Sequence, residues 1–179
     1  ALTSNTTGQR NTVIGASAMA TNTTGNYNTA SGYEALTSNT TGNGNTASGY
    51  EALKDANRTA DTDGYNTALG YQAGNTGTND VTTGNKNTLL GASSAASAAV
   101  GTNQTVIGYG TSGQANNSVT LGNADVTAVY MAEDAGATVY AAGMVFGGVT
   151  VTSTAAEINI LDGNTSAVST PIADGDRVV

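Results

Sequence analysis

Apolar residues in this chain come in bursts of two or three, and each burst has the same surroundings. Val13–Ile14, Ala68–Leu69, Leu89–Leu90 and Val106–Ile107 are each preceded by Asn-Thr or Gln-Thr and followed by Gly. In an extended segment Thr12 and Ile14 point one way and Val13 the other. The same three-residue window predicts a short strand each time it recurs. Neither side of any window carries a charge, and a strand uncharged on both sides is usually covered on both sides.

Aligned on its glycine, the window recurs seven times. It reads NTVIG at 11–15, NTASG at 28–32 and again at 45–49, NTALG at 66–70, NTLLG at 87–91, QTVIG at 104–108 and SVTLG at 118–122. The glycines stand 17, 17, 21, 21, 17 and 14 residues apart. The nine residues NTASGYEAL occur unchanged at 28–36 and 45–53, and ALTSNTTG at 1–8 returns at 35–42. Self-similarity at such a period is the signature of a repeat architecture. The extra residues of the longer units fall in NRTADTDGY (57–65) and NTGTNDVTTG (75–84), which are rich in turn formers. The expected fold is an all-β parallel solenoid, one coil per repeat, with insertions enlarging loops on one face. Seven coils at about 4.8 Å each give a rod of roughly 30 Å.

Each column of the alignment then has a physical reading. Asn11, Asn28, Asn45, Asn66 and Asn87, continued by Gln104, would form an amide ladder. Gly15, Gly32, Gly49, Gly70, Gly91, Gly108 and Gly122 mark a corner where a Cβ would clash or φ is positive. Tyr33, Tyr50, Tyr71 and Tyr109 follow that glycine and are expected to stack. Ala18, Ala35, Ala52 and Ala73 suit a narrow interior. Glu34, Glu51, Lys54, Asp55 and Arg58 fall on the return segment, read as facing solvent.

Composition fits this frame. The 179 residues hold 24 Gly, 31 Thr and 20 Asn, only 10% are charged, and the net charge is −8. Sparse charge weakens the usual driver of disorder. The absence of Cys removes disulfides, thiolate nucleophiles and zinc–thiolate sites. Acidity argues against nucleic acid and anionic membrane as partners. No apolar stretch of 18 residues suggests membrane insertion of this segment. Because Ala1 enters halfway through a repeat, the chain is read as a piece of something longer.

The cores NTVIG, QTVIG and SVTLG, with the final 14-residue step, resemble the left-handed β-roll of trimeric autotransporter adhesin heads. The longer units, of the type NTASGYEALTSNTTGNG, are similar to repeats in bacteriophage tail fibres and related trimeric fibres. The resemblance covers about residues 1–123 and implies a homotrimer. One strand face would fill the coil and the other would meet a neighbouring copy. The packing candidates are Val13, Ile14, Leu69, Leu89, Leu90, Val106, Ile107, Val119 and Leu121.

Three regions follow: a repeat shaft at 1–123, a connector of short strands at 124–151, and a short-helix shaft segment at 152–179. In the connector, the alternation of Val126, Ala128 and Tyr130 predicts a strand, with Gly136, Gly143, Gly147 and Gly148 at turns. In TSTAAEINILDG (152–163), Thr154 and Glu157 form a capping box. Ile158 and Leu161 give the helix one apolar face, expected to bury against the other copies. TAAEINILDG looks like a segment that recurs in tail-fibre shafts.

These features predict a structural fibre segment on a virion or cell surface, contributing to attachment to a host glycan or receptor. Catalysis is not expected: without His or Cys the usual nucleophile–base pairs are missing, and the carboxylate pairs Asp61/Asp63 and Glu133/Asp134 read as solvated loop acids. No cofactor or metal is expected. DTDG (61–64) opens like a calcium loop, but Gln72 stands where the closing Glu should be. The Thr column (Thr12, Thr29, Thr46, Thr67, Thr88, Thr105) would suit ice binding only if exposed on a monomer. Glycan contacts would lie on the aromatic column or near Tyr65, Asp80 and Lys86. The NTT sequons at Asn5, Asn22 and Asn39 are read as a recurring turn.

Overall fold

The computed structural model describes residues 1–57, 64–132, 144–146 and 149–151. Two compact units are present, Ala1–Val129 and Tyr130–Val179. In the first, β1 (Thr12–Ile14), β2 (Thr29–Ser31), β3 (Thr46–Ser48), β4 (Thr67–Leu69), β5 (Thr88–Leu90), β6 (Gln104–Ile107) and β7 (Ser118–Leu121) form one parallel sheet in sequence order. This unit is a β-solenoid of about six turns.

The register is the one the repeats dictate. Thr12 pairs with Thr29, Thr29 with Thr46, Thr46 with Thr67, Thr67 with Thr88 and Thr88 with Thr105. It survives the change from 17-residue to 21-residue coils, with Thr46 paired to Thr67 and Thr67 to Thr88. In the second insertion the chain leaves at Gly74 and returns at Val81, whose N–H donates to the Gly74 carbonyl at 2.9 Å. Val81 is buried on its return.

Hydrogen bonding between coils extends beyond the strands. Met19 N–H donates to the Ala35 carbonyl at 3.0 Å, Leu36 to Ala52 at 3.1 Å and Leu53 to Ala73 at 2.9 Å. Backbone donors on the return path are therefore satisfied by the next coil, as buried amides require.

Ala18, Ala35, Ala52 and Ala73 are all buried, as their spacing predicts. A second column, Met19, Leu36 and Leu53, completes the core beside them. These three adopt left-handed backbone, with φ of 45°, 54° and 49°. Such a conformation costs an L-residue about 1–2 kcal/mol. Full burial of the side chain contributes about 1.5–3 kcal/mol, which offsets it.

The glycine corner has both properties expected of it. Gly15, Gly32, Gly49, Gly70, Gly91 and Gly108 have φ between 126° and 140°. A Cβ on Gly49 would stand inside contact distance of the Gly70 carbonyl oxygen. Gly122 departs, with φ 80°, and a Cβ there would meet Val126 instead.

After β7 the sheet stops. The strand expected around Val126, Ala128 and Tyr130 does not form, and Tyr130 is 85% exposed. Among the described residues no further strand joins the sheet to take up its hydrogen bonds. In the second unit β8 (Met144–Phe146) and β9 (Val149–Val151) pair antiparallel. The helix expected from Thr154, Glu157, Ile158 and Leu161 falls outside the described residues, as do Arg58, Asp61, Asp63, Glu133 and Asp134.

Candidate functional site

Three surfaces of the solenoid carry features that a solitary core would not need. The first is the outer face of the sheet. Alternation along each strand sends the middle residue inward: Ala30, Ala47, Ala68, Leu89 and Val106 are buried and Val13 half-buried. Among the packing candidates, Val13, Leu89 and Val106 thus serve the coil's own interior. Ile14, Leu69, Leu90, Ile107 and Leu121 line an outward column, with Leu69 50% exposed and Leu121 43%. Val119 is also outward, because it pairs with Thr105 and so continues the Thr column. Thr12, Thr29, Thr46, Thr67 and Thr88 are exposed on the single chain.

The inner amides tie the coils together beneath that face. Asn28 Oδ1 accepts from the Asn45 backbone N–H at 2.9 Å and from Asn45 Nδ2 at 3.1 Å. The pattern repeats from Asn11 to Asn28, Asn45 to Asn66 and Asn66 to Asn87. Gln104 takes the next rung through its backbone N–H, 3.1 Å from Asn87 Oδ1. Its longer side chain turns aside to Ser97 and Asn116 as the coil shortens.

A second amide ladder explains the sequons. Asn22 Nδ2 donates to Asn5 Oδ1 at 2.8 Å, and Asn39 Nδ2 to Asn22 Oδ1 at 2.9 Å. The turn recurs, with Asn22 N–H donating to the Met19 carbonyl and Asn39 N–H to the Leu36 carbonyl, and its asparagines are fully buried, so the motif also builds an interior ladder. Their 17-residue spacing was the available signal, the same one that marks the first ladder.

The second surface is an aromatic and ionic stack. Tyr33 and Tyr50 stack at 5.3 Å between centroids, and Tyr50 and Tyr71 at 5.2 Å. Tyr109 stands outside the stack at 74% exposed, because Ala92 occupies the rung after Gly91. Beside the rings, Lys54 Nζ lies 2.7 Å from Glu34 Oε2 and 2.9 Å from Glu51 Oε1. Gln72 Nε2 donates to Glu51 Oε2 at 2.7 Å. Glu51 and Lys54 are therefore half-buried members of an ion ladder, a correction to their reading as simply solvated.

The Lys54 ammonium, by hydrogen bonding, holds both carboxyls below their ordinary values. The carboxylates in turn raise Lys54. The hydrogen bond with Glu34 raises the Tyr33 phenol, and the charge of Glu51 raises that of Tyr50.

The third surface is a pocket of about 360 Å3 lined by Asn26, Tyr27, Asn43, Gly44 and Tyr65. Tyr65 was singled out from the sequence; Asp80 and Lys86 do not line this pocket. Asp80 Oδ1 instead accepts from the Gly77 N–H at 2.6 Å. Among the described residues no three His, Cys, Asp or Glu side chains come together to hold a metal ion. No helix among them is long and apolar enough to cross a membrane. No protein-family model matches the chain, and no curated protein matches it.

Proposed function

We propose that this chain is a structural segment of a homotrimeric fibre, displayed on a virion or cell surface, that contributes to attachment. The observation that supports it most is the outer sheet face. It carries no charge over seven rungs, and its aliphatic column of Leu69, Leu90, Ile107 and Leu121 is exposed on the single chain. A partner for such a face must repeat at the same coil spacing, about 4.8 Å. Another copy of this chain supplies that repeat, and cyclic symmetry closes the assembly. Three is the number implied by the resemblance to fibre and adhesin-head repeats. A bacterial adhesin head would use the same packing as a tail fibre.

The role is mechanical. Main-chain hydrogen bonds and amide ladders run along the axis, so the rod resists bending while it holds its loops away from the body. Three equivalent copies of any loop site would then act together.

Light scattering coupled to size exclusion tests the reading. The expected mass is about three times 17.6 kDa. A folded monomer would overturn the fibre interface and favour a second reading, a single solenoid whose exposed Thr column binds ice or glycan. That column is exposed on the isolated chain, and thermal hysteresis of a monomer would support this second reading.

A further inference from the structure

The corner that precedes each Asn rung, from Asn11 to Asn87, is occupied by Arg10, Tyr27, Gly44, Tyr65 and Lys86 in successive coils. All five have left-handed backbone, with φ between 46° and 68°. The N–H groups of Tyr27, Gly44, Tyr65 and Lys86 donate in the same way to the preceding coil, as Gly44 does to the Asn26 carbonyl at 3.0 Å and Tyr65 to Asn43 at 3.2 Å. Four of these corners project a long side chain. The fifth, Gly44, projects none.

The missing rung leaves the pocket described above. Tyr27 and Tyr65 leave the backbone two coils apart, about 9.6 Å along the stack, twice the spacing of a filled ladder. Tyr65 leans across Gly44, so that a Cβ there would lie 2.6 Å from its Cδ1. Tyr27 forms the opposite wall, and both rings are more than half exposed. Arg10 is stacked at 5.1 Å over the Tyr27 ring and donates to its hydroxyl, which steadies that wall.

Asn26 and Asn43 supply the polar edge. Asn26 Oδ1 accepts from the Gln9 N–H at 2.8 Å, and Asn43 Oδ1 from the Asn26 N–H at 2.7 Å. Those bonds fix the orientation of both carboxamides; Asn26 Nδ2 is engaged as well, donating to the Thr24 carbonyl at 2.8 Å and to Asn43 Oδ1 at 3.4 Å, so the edge offers a ligand the second lone pair of Asn26 Oδ1 and the Nδ2 donors of Asn43.

From this geometry we propose that the Gly44 gap is a binding subsite for a neutral hexopyranose. The C–H face of the sugar lies against Tyr27 and Tyr65, and its vicinal hydroxyls meet Asn26 and Asn43. Convergent amides beside apolar walls are the usual makeup of such sites, and the volume is within their range. The described residues that line it carry no charge, and a chain of net charge −8 does not favour an anionic ligand. The subsite deepens the attachment role proposed above and rests on that reading for its biological purpose.

Gly44→Tyr is the decisive variant. Tyr already occupies this left-handed corner at Tyr27 and Tyr65, and among the described residues the close neighbours are atoms of the Tyr65 side chain and not backbone. The substitution should complete the ladder and fill the gap while the solenoid stays folded.

The test is an NMR titration of the full chain, following the tyrosine ring resonances. The probes are the methyl glycosides of glucose, galactose, mannose and N-acetylglucosamine, with phenol as an aromatic control. At least one glycoside is expected to shift Tyr27 and Tyr65, with no binding to Gly44→Tyr and at least tenfold weaker binding to Tyr27→Ala. The subsite is overturned if no glycoside binds, if phenol alone binds, or if Tyr27→Ala binds as well as the parent chain. Light scattering on the same sample separates the two proposals. A trimer without binding sinks the subsite alone, and a monomer that binds sinks the fibre alone.

Discussion

Asn45 holds Asn66 by two hydrogen bonds to one atom: its Oδ1 accepts from the Asn66 backbone N–H at 3.1 Å and from Asn66 Nδ2 at 3.3 Å. Since Asn45 is itself a donor to Asn28, each amide links the coils above and below. Asn45→Ala leaves the Asn66 N–H without its partner inside the solenoid, while Asn28 Oδ1 keeps the bond from the backbone N–H of position 45. A buried group left unsatisfied costs about 1–3 kcal/mol, and a loss of that size is expected. Urea unfolding followed by circular dichroism measures it; a midpoint equal to that of the parent chain would show the ladder to be dispensable.

Two glycines separate steric need from conformational preference. Gly49→Ala places a Cβ against the Gly70 carbonyl, a backbone group that cannot move without opening the sheet. A loss above about 4 kcal/mol is expected, in the class of severe core lesions. Gly77 has φ 83° but open space around its Cβ position. Gly77→Ala should cost only about 1–2 kcal/mol, the left-handed preference alone. Equal unfolding midpoints for the two variants would contradict the close approach at Gly49.

The outer face gives a mutational counterpart to the mass measurement. Leu90→Asp puts a carboxylate on the aliphatic column without touching the coil interior. In a trimer the charge is buried once per copy, at a cost of about 2–5 kcal/mol each. The scattering mass is expected to fall from trimer to monomer while the circular dichroism spectrum keeps its β shape. A variant that remains trimeric would move the interface to another face.

The ion ladder makes a pH prediction of definite sign. The folded carboxyls of Glu34 and Glu51 lie below their unfolded values. Their contribution is therefore present above the unfolded value of about 4.3 and lost as pH falls through the folded values. Lys54 is raised, so its part persists through neutral pH and fades only in alkali as pH climbs through its folded value. Lys54→Met should lower the thermal midpoint at pH 7 and progressively less at pH 4 and pH 3. Both the lost attraction and the new Glu34–Glu51 repulsion vanish on protonation. A constant difference from pH 7 to pH 3 would mean that the midpoint shift comes from packing and not from charge.

The sequence by itself determined the period, the register and the identity of each column. Stacked coils present the same environment at the same position, so Asn28, Asn45 and Asn66, or Gly32, Gly49 and Gly70, had to recur in step. The strands were legible for the same reason, and so was the inward place of Ala18, Ala35 and Ala52. Only the tertiary structure decided which way the remaining columns face. Asn22 and Asn39 look like surface sequons in the linear chain, yet the coil turns them inward. Leu36 and Leu53 enter the core through a left-handed corner, a conformation that local preference argues against. Lys54 finds Glu34 twenty residues earlier only because the coils stack. The gap at Gly44 exists only relative to the tyrosines one coil above and one below. Direction and contact across coils are set by the corners, and a corner takes its shape from the coil it rests upon.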